Sequence, residues 1–154
     1  MSYEAKIQEL GLEIPIPGKP VFSYIPGLLT DDGYVYVSGQ LPTISGQLRY
    51  KGKVGVDLTE EEGREAAKIC ALNALGVVKS LIGSLDKVER IVEVSGFVNA
   101  GPEYEAHPLV INGASDILGE IFGEQGKHTR IALGASGLPL GAAVEVKMIV
   151  KVKK

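Results

Sequence analysis

The chain has 154 residues, a formal net charge of −3 and 45% hydrophobic residues. This length is enough for one hydrophobic core, and the hydrophobic content excludes a disordered chain. The acidic balance argues against general nucleic-acid binding, which normally needs a basic surface. Tryptophan is absent and aromatic residues make up 6% of the chain, so we expect an aliphatic core.

The first third of the chain is predicted to be a short amphipathic helix followed by strands. Two prolines and a glycine in EIPIPGK indicate an extended connector. DDG is a turn signal, and the strictly alternating YVYVS after it is typical of a strand. The predicted elements are, in chain order, a helix over 4–11, the connector over 13–19, strands over 21–24, 27–29 and 34–38, and a partly extended loop to residue 56.

Two helices organise the rest of the chain. Thr59 and Glu62 form a capping-box pattern, apolar residues follow at helical spacing, and Gly83 is a stop signal. Pro108 fits the first turn of a second helix that ends at Gly123. Strands are predicted over 89–98 and twice within 129–152. This order indicates a single α/β (α+β) domain, with one sheet that carries both helices on one face.

Alternation along the strands predicts two different faces of the sheet. One face is aliphatic and should pack on the helices. Its members are Val35, Val37, Val92, Val94, Val98, Ile131, Leu133, Ala135, Val144, Val146, Met148, Val150 and Val152. The other face mixes aromatic, small and charged residues. Two helices cannot cover both faces, so we expect the mixed face to meet another subunit, with Ser38, Arg130 and Glu145 on that side.

Arg130 and Glu145 are charges that folding does not require and that are costly when buried without partners. The small residues Ala132 and Gly134 leave space beside Arg130. Arg130 could therefore serve as a carboxylate or phosphate clamp at a subunit seam. Alternatively, Arg130 and Glu145 could pair with each other and set the register of the interface. The pattern leaves both interpretations open.

Three segments together resemble the RidA (YjgF) family of reactive imine deaminases. In the C-terminal segment, Arg130 is followed by Leu138-Pro139 and then by Glu145 within VEV. YVYVSGQLP (34–42) is similar to the family's N-terminal segment, and INGASDILGEIF (111–122) is similar to its second helix. The resemblance implies a chorismate-mutase-like domain with a mixed sheet over residues 20–154, preceded by an N-terminal extension over residues 1–19.

The resemblance also implies an assembly and a site. It implies a homotrimer whose sheets form a barrel, with sites in the clefts between subunits and with no metal or organic cofactor. Arg130 corresponds to the family's carboxylate-binding arginine, and Glu145 to the glutamate that positions or activates the hydrolytic water. The other implied substrate-binding residues are Tyr24, Ser38, Gly39 and Asn112.

The sequence departs from the family pattern around Arg130. It reads His128-Thr129-Arg130-Ile131, where the family usually has Pro or Ala, a small residue, Arg and Ser. The segment between Asn112 and Arg130 is also one residue longer. These departures indicate a divergent subgroup. We interpret His128 as a surface residue, with a position lining the cleft as the alternative.

The function implied by the resemblance is hydrolysis of small 2-imino or enamine acids to 2-keto acids and ammonia. A binding module for small carboxylates, without turnover, is the alternative that Ile131 favours. An endoribonuclease is a third possibility, against which the acidic charge and the lack of stacking aromatic residues argue. The lone Cys70 is interpreted as a core residue. The absence of a secretory signal or membrane span in the sequence predicts a cytoplasmic protein.

Overall fold

The computed structural model describes residues 1–19 and 22–154. Residues 20 and 21, where the predicted domain and the predicted strand 21–24 begin, lie outside the described residues. The helices are α1 (Tyr3–Glu9), α2 (Glu60–Ile82) and α3 (His107–Phe122). The strands are β1 (Gly27–Leu29), β2 (Tyr34–Gln40), β3 (Thr43–Ile44), β4 (Gln47–Leu48), β5 (Val88–Asn99), β6 (Thr129–Ala135) and β7 (Val144–Val152).

Local signals start and end the two long helices where the sequence predicts. The Thr59 hydroxyl accepts a hydrogen bond from the Glu62 N–H at 3.1 Å, and the Glu62 carboxylate accepts one from the Thr59 N–H at 3.0 Å. Gly83 ends α2 with a φ of +91°, a conformation that favours glycine. Pro108 lies in the first turn of α3, and Gly123 ends that helix. Both helix predictions are confirmed.

Five strands form one mixed sheet in the order β1-β2-β7-β5-β6. Strands β5 and β6 are parallel, and the other neighbours are antiparallel. Helices α2 and α3 cover one face: a Cβ added to Gly27 would meet Val77 of α2, and one added to Gly96 would meet Ile111 of α3. The aliphatic residues between these layers are fully buried, as is Cys70. The mixed sheet with helices on one face is confirmed.

Three details differ from the sequence predictions. Residues 22–24 form bends instead of a strand, and the segment predicted as a loop contains the short β3–β4 hairpin. Val92 is predicted on the helix-facing side of β5 and Ile91 opposite, but Ile91 is buried and Val92 is half-buried. The cause is a bulge, because Ile91 pairs with Val150 while Glu93 pairs with the adjacent Ile149.

The predicted orientation of β6 is wrong. Arg130 pairs with the buried Val94, and a Cβ added to Gly134 would meet His107 of α3. Arg130, Ala132 and Gly134 therefore lie on the helix side, and Ile131 and Leu133 lie on the open side. Strand β6 is at the sheet edge and is apolar or small at alternate positions on both sides, so its alternation does not specify its face.

The open face of the sheet carries exposed apolar side chains. Leu28, Tyr36, Ile131 and Leu133 are 52%, 46%, 49% and 45% exposed. They occupy β1, β2 and β6, so the apolar surface extends from one edge of the sheet to the other. In a single chain, water contacts this surface.

The N-terminal segment packs against the body of the fold. The Glu4 carboxylate pairs with Lys79 at 3.0 Å and accepts a hydrogen bond from the Leu85 N–H at 2.8 Å. Further along, the carbonyl oxygen of Pro15 lies so close to Gly76 of α2 that a Cβ there would collide with it. Residues 15–19 line one cavity together with Tyr24 and Gly39, two of the predicted site residues.

Candidate functional site

Arg130 lies between strand β6 and helix α3. Its Nη1 donates a hydrogen bond to the Ser115 hydroxyl at 3.1 Å, and its Nη2 donates one to the Pro108 carbonyl at 3.2 Å. A guanidinium group has five N–H donors, so these two bonds leave three available. That number is sufficient for a bidentate contact with a carboxylate.

Ser115 and His128 continue the contacts of Arg130 into the protein. The Ser115 hydroxyl lies 2.9 Å from His128 Nε2, and His128 Nδ1 lies 2.6 Å from the Gly126 carbonyl oxygen. Burial lowers the pKa of His128, and the nearby Arg130 charge lowers it further, while the bond to Gly126 opposes this shift. His128 is half-buried and bonded on both nitrogens, so its interpretation as a plain surface residue is wrong.

Asn112 lies on the same side of α3 as the two groups that hold Arg130. Pro108, Asn112 and Ser115 are spaced four and three residues apart, which places them in one stripe along the helix. Asn112 is half-buried, one turn from each of these contacts. The structure therefore brings two predicted site residues, Arg130 and Asn112, to one edge of the molecule. We call Asn112, Ser115, His128 and Arg130 the arginine half-site.

Glu145 lies elsewhere, on the open face of β7, where it pairs with Phe97 of β5. Its carboxylate contacts the backbone at Gly39 so closely that a Cβ on that residue would collide with it. Burial raises the pKa of Glu145. Within the described parts of the chain, its carboxylate makes no ion pair and no hydrogen bond.

Ser38 and Tyr24 lie near Gly39. The Ser38 hydroxyl donates to the Ile25 carbonyl at 2.8 Å, which ties the segment before β1 to strand β2. Tyr24 stacks on Phe22, with ring centroids 6.4 Å apart. Tyr24 and Gly39 both line an open cavity of about 540 Å³, which Ile16 and Lys19 of the N-terminal segment also line. We call Tyr24, Ser38, Gly39 and Glu145 the glutamate half-site.

The two half-sites are separate within one chain. Strand β5 lies between β6 and β7, and Arg130 and Glu145 lie on opposite faces of the sheet. Their backbones are about 10 Å apart across the sheet and about 10 Å apart along it, at about 4.8 Å per strand and 3.3 Å per residue. The predicted placement of Ser38, Arg130 and Glu145 on one face is therefore wrong for Arg130. An Arg130–Glu145 salt bridge does not form within the chain.

Ser115 is a residue of the arginine half-site that sequence reasoning missed. A serine on an amphipathic helix is usually solvated, so its type alone carries no signal. The available signal is its position in one stripe with Pro108 and Asn112. That stripe would indicate a polar seam beside a neighbouring strand.

Two further features concern cofactors and membranes. Within residues 1–19 and 22–154, no three His, Cys, Asp or Glu side chains come close enough together to hold a metal ion. In the same part of the chain, every helix is too short or too polar to cross a bilayer.

Comparison with known proteins places this fold in a family. Residues 4–152 match the family described as "YjgF/chorismate mutase-like, putative endoribonuclease". A Trypanosoma cruzi protein, Protein TCP17, is 38% identical over 148 residues, which cover 96% of this chain and 92% of the relative. The chain therefore belongs to the YjgF/chorismate mutase-like family.

Solved structures agree with this assignment. The Agrobacterium tumefaciens protein Atu1372, described as having unknown function, matches with a TM-score of 0.89 and 39% identity, over 98% of this chain and 92% of its own. The "putative endoribonuclease" of Shewanella oneidensis MR-1 matches with a TM-score of 0.94 and 32% identity, over 99% of this chain and 100% of its own. Both matches include the N-terminal segment, which is therefore present in relatives of known structure.

Proposed function

We propose that the protein hydrolyses small 2-imino or enamine acids to 2-keto acids and ammonia at sites formed between two copies of the chain. The observation that carries this proposal is the separation of complementary groups. Among residues 1–19 and 22–154, Arg130 keeps N–H donors without a partner at the sheet edge, and Glu145 is a half-buried carboxylate without a cationic partner. A small carboxylic acid can contact both groups only if a second chain brings the two half-sites together.

The chemistry needs few groups. Arg130 would hold the substrate carboxylate through parallel hydrogen bonds and so position the C=N carbon near a bound water. Glu145 would accept one proton from this water as its oxygen bonds to carbon, and would pass that proton to nitrogen. The second water proton follows from the new hydroxyl to nitrogen as the C–N bond breaks. The products are the 2-keto acid and ammonia.

The open face supplies a surface for self-association. Leu28, Tyr36, Ile131 and Leu133 form an exposed apolar surface. Surfaces of this kind on a folded chain commonly mark an interface. Pairing of three such faces into a closed homotrimer would bury the apolar surface and place the glutamate half-site of one chain against the edge strand of the next.

The test is an assay coupled to a dehydratase that releases 2-iminobutanoate, with 2-oxobutanoate formation followed above the spontaneous rate. We expect Arg130→Ala to lower kcat/KM by about 100-fold or more, because a charged hydrogen-bonding partner is lost. Arg49→Ala, which removes an exposed arginine elsewhere, is the matched control. Arg130-dependent binding of 2-oxobutanoate with no acceleration of hydrolysis would replace the proposal with a carboxylate-binding module.

A ribonuclease is a second candidate, because the family description and that of the Shewanella oneidensis protein both name this activity. The net charge of −3 argues against this candidate, because binding of RNA normally needs a basic surface. A ribonuclease activity on a defined RNA would favour this candidate if it copurifies with the protein through several columns and is lost in Arg130→Ala. Cleavage that persists unchanged in the variant would indicate a contaminant.

A further inference from the structure

Arg130 is the first member of a chain of hydrogen bonds that ends on the backbone. From Arg130 Nη1 the chain passes to the Ser115 hydroxyl at 3.1 Å, to His128 Nε2 at 2.9 Å, and from His128 Nδ1 to the Gly126 carbonyl at 2.6 Å. Ser115 belongs to α3, His128 to the turn before β6, and Gly126 to the turn that follows α3. The guanidinium is thus tied to three successive parts of the fold.

The donor and acceptor roles in this chain have only one consistent assignment for a neutral imidazole. A carbonyl can only accept, so His128 Nδ1 carries the proton and donates to Gly126. Nε2 is then an acceptor, and the Ser115 O–H donates to it. The serine lone pairs remain for Arg130, which can only donate. Each member thereby fixes the orientation of the next.

We propose that Ser115 and His128 are positioning residues that hold the Arg130 guanidinium in the orientation needed to bind the substrate carboxylate. This inference rests on the proposed function. Without the Ser115 contact, the bond to the Pro108 carbonyl is the one that the guanidinium would keep within the described residues, and it could rotate about that bond. Ligand-binding groups commonly depend on such supporting hydrogen bonds for their geometry.

His128, which departs from the family pattern, would help to orient Arg130 through Ser115. At this position the family usually has Pro or Ala, neither of which has a side chain that can accept a hydrogen bond. In this chain, His128 and Ser115 form a hydrogen bond, and substitution of either residue removes it. We therefore expect the two substitutions Ser115→Ala and His128→Phe to have overlapping effects, so that the double variant loses little more than the worse single variant.

The experiment measures binding and turnover in the full-length protein. Ser115→Ala is expected to raise the Kd for 2-oxobutanoate by about 5- to 30-fold, because it removes one charge-assisted hydrogen bond to Arg130. His128→Phe removes the acceptor that orients the Ser115 hydroxyl and should raise the Kd by the same amount or less. The KM for the imine should rise similarly, with a smaller change in kcat. Ser115→Thr keeps the hydroxyl and should retain most of the affinity. Ser80→Ala is the matched control, since it removes a helix serine bonded to a backbone carbonyl in α2.

A second readout is independent of ligand. Long-range nitrogen–proton NMR correlations report the tautomer of each histidine, and the chain has two, so His107→Gln assigns the signals. We expect the Nδ1–H tautomer for His128 at pH 8. The Nε2–H tautomer, or Arg130-dependent binding that Ser115→Ala leaves unchanged, would overturn the inference while the proposed function stands. A wild type that binds no keto acid and hydrolyses no imine would overturn both.

Discussion

Arg130 and Glu145 lie on opposite faces of one sheet, with strand β5 between their strands. Each is held by its own set of neighbours: α3 contacts Arg130, and Gly39 of β2 contacts Glu145. If both act on one small substrate, they must come from different chains. This relationship makes the proposed site testable through subunit mixing.

We expect Arg130→Ala and Glu145→Gln chains to be inactive when expressed separately and partly active when co-expressed. In a mixed oligomer, some sites combine an intact Arg130 from one chain with an intact Glu145 from its neighbour. In a trimer that contains both variants, one of the three sites is intact whichever variant is in the majority, so about a third of the sites in such trimers should be active. The measurement is imine hydrolysis by material purified through two different tags, one on each variant.

The control for subunit mixing is a mixture of the two variants purified separately and combined without exchange, which should stay inactive. If the mixed oligomers also stay inactive while wild-type mixtures retain activity, both residues act from the same chain. That outcome would contradict a site formed between subunits.

Glu145→Gln is expected to lower activity and raise stability. Burial raises the pKa of Glu145, so the folded protein loses stability from this group as the pH rises through that pKa, and glutamine avoids the loss. We expect kcat to fall by up to about 100-fold, because the general base is lost. The Tm at pH 8 should rise by only about 1–2 °C, because the half-buried carboxylate remains partly hydrated in the wild type. Thermal unfolding at pH 4 and pH 8 should show the gain only at the higher pH.

The wild-type pH–rate profile provides the complementary measurement for Glu145. A general base must be ionised, so turnover should fall as the pH drops through the raised pKa. A profile without this acidic limb, measured where the protein stays folded, would remove Glu145 from the proton-transfer step.

Gly39→Ala is expected to reduce activity with little effect on folding. The added Cβ would collide with the end of the Glu145 side chain, which is flexible and can move away. The carboxylate would then be displaced from its position, and we expect a loss of kcat of about 10- to 100-fold from misplacement alone. Gly137→Ala, at a glycine with open space around it, is the matched control. Equal kcat values for wild type and Gly39→Ala would show that the position of Glu145 is not critical.

The sequence predicts the two long helices, the main strands and the helix-facing valines other than Val92, because capping residues and strict alternation are local signals. It does not predict the orientation of β6, since Ile131 and Leu133 are as apolar as a core strand would require. Only the parallel pairing of Arg130 with Val94 specifies the face. The bulge at Val92 and the bond from Ser115 to Arg130 likewise depend on neighbours distant in sequence.

His128→Gln is expected to make the protein less sensitive to mild acid. Burial and the Arg130 charge lower the pKa of His128, so the unfolded chain binds this proton at a higher pH than the folded chain. Its contribution to stability is complete above about pH 6.5 and is lost as the pH falls toward the lower folded value. Urea unfolding midpoints between pH 5 and pH 8, at fixed protein concentration, should fall less steeply in the variant. A His128→Gln curve parallel to wild type would show that His128 protonates equally in both states.

Leu133→Glu is expected to dissociate the oligomer while leaving the chain folded. Leu133 is 45% exposed on the open face, so a single chain tolerates the charge, but an interface would have to bury it without a partner. Sedimentation velocity at low micromolar concentration should give one species at the mass of one chain, with helical circular dichroism unchanged and imine hydrolysis lost. Val56→Glu is the matched control, because Val56 is 72% exposed outside the sheet. A wild type that sediments as a stable monomer, or a Leu133→Glu oligomer with normal activity, would show that the open face is not the interface that brings the two half-sites together.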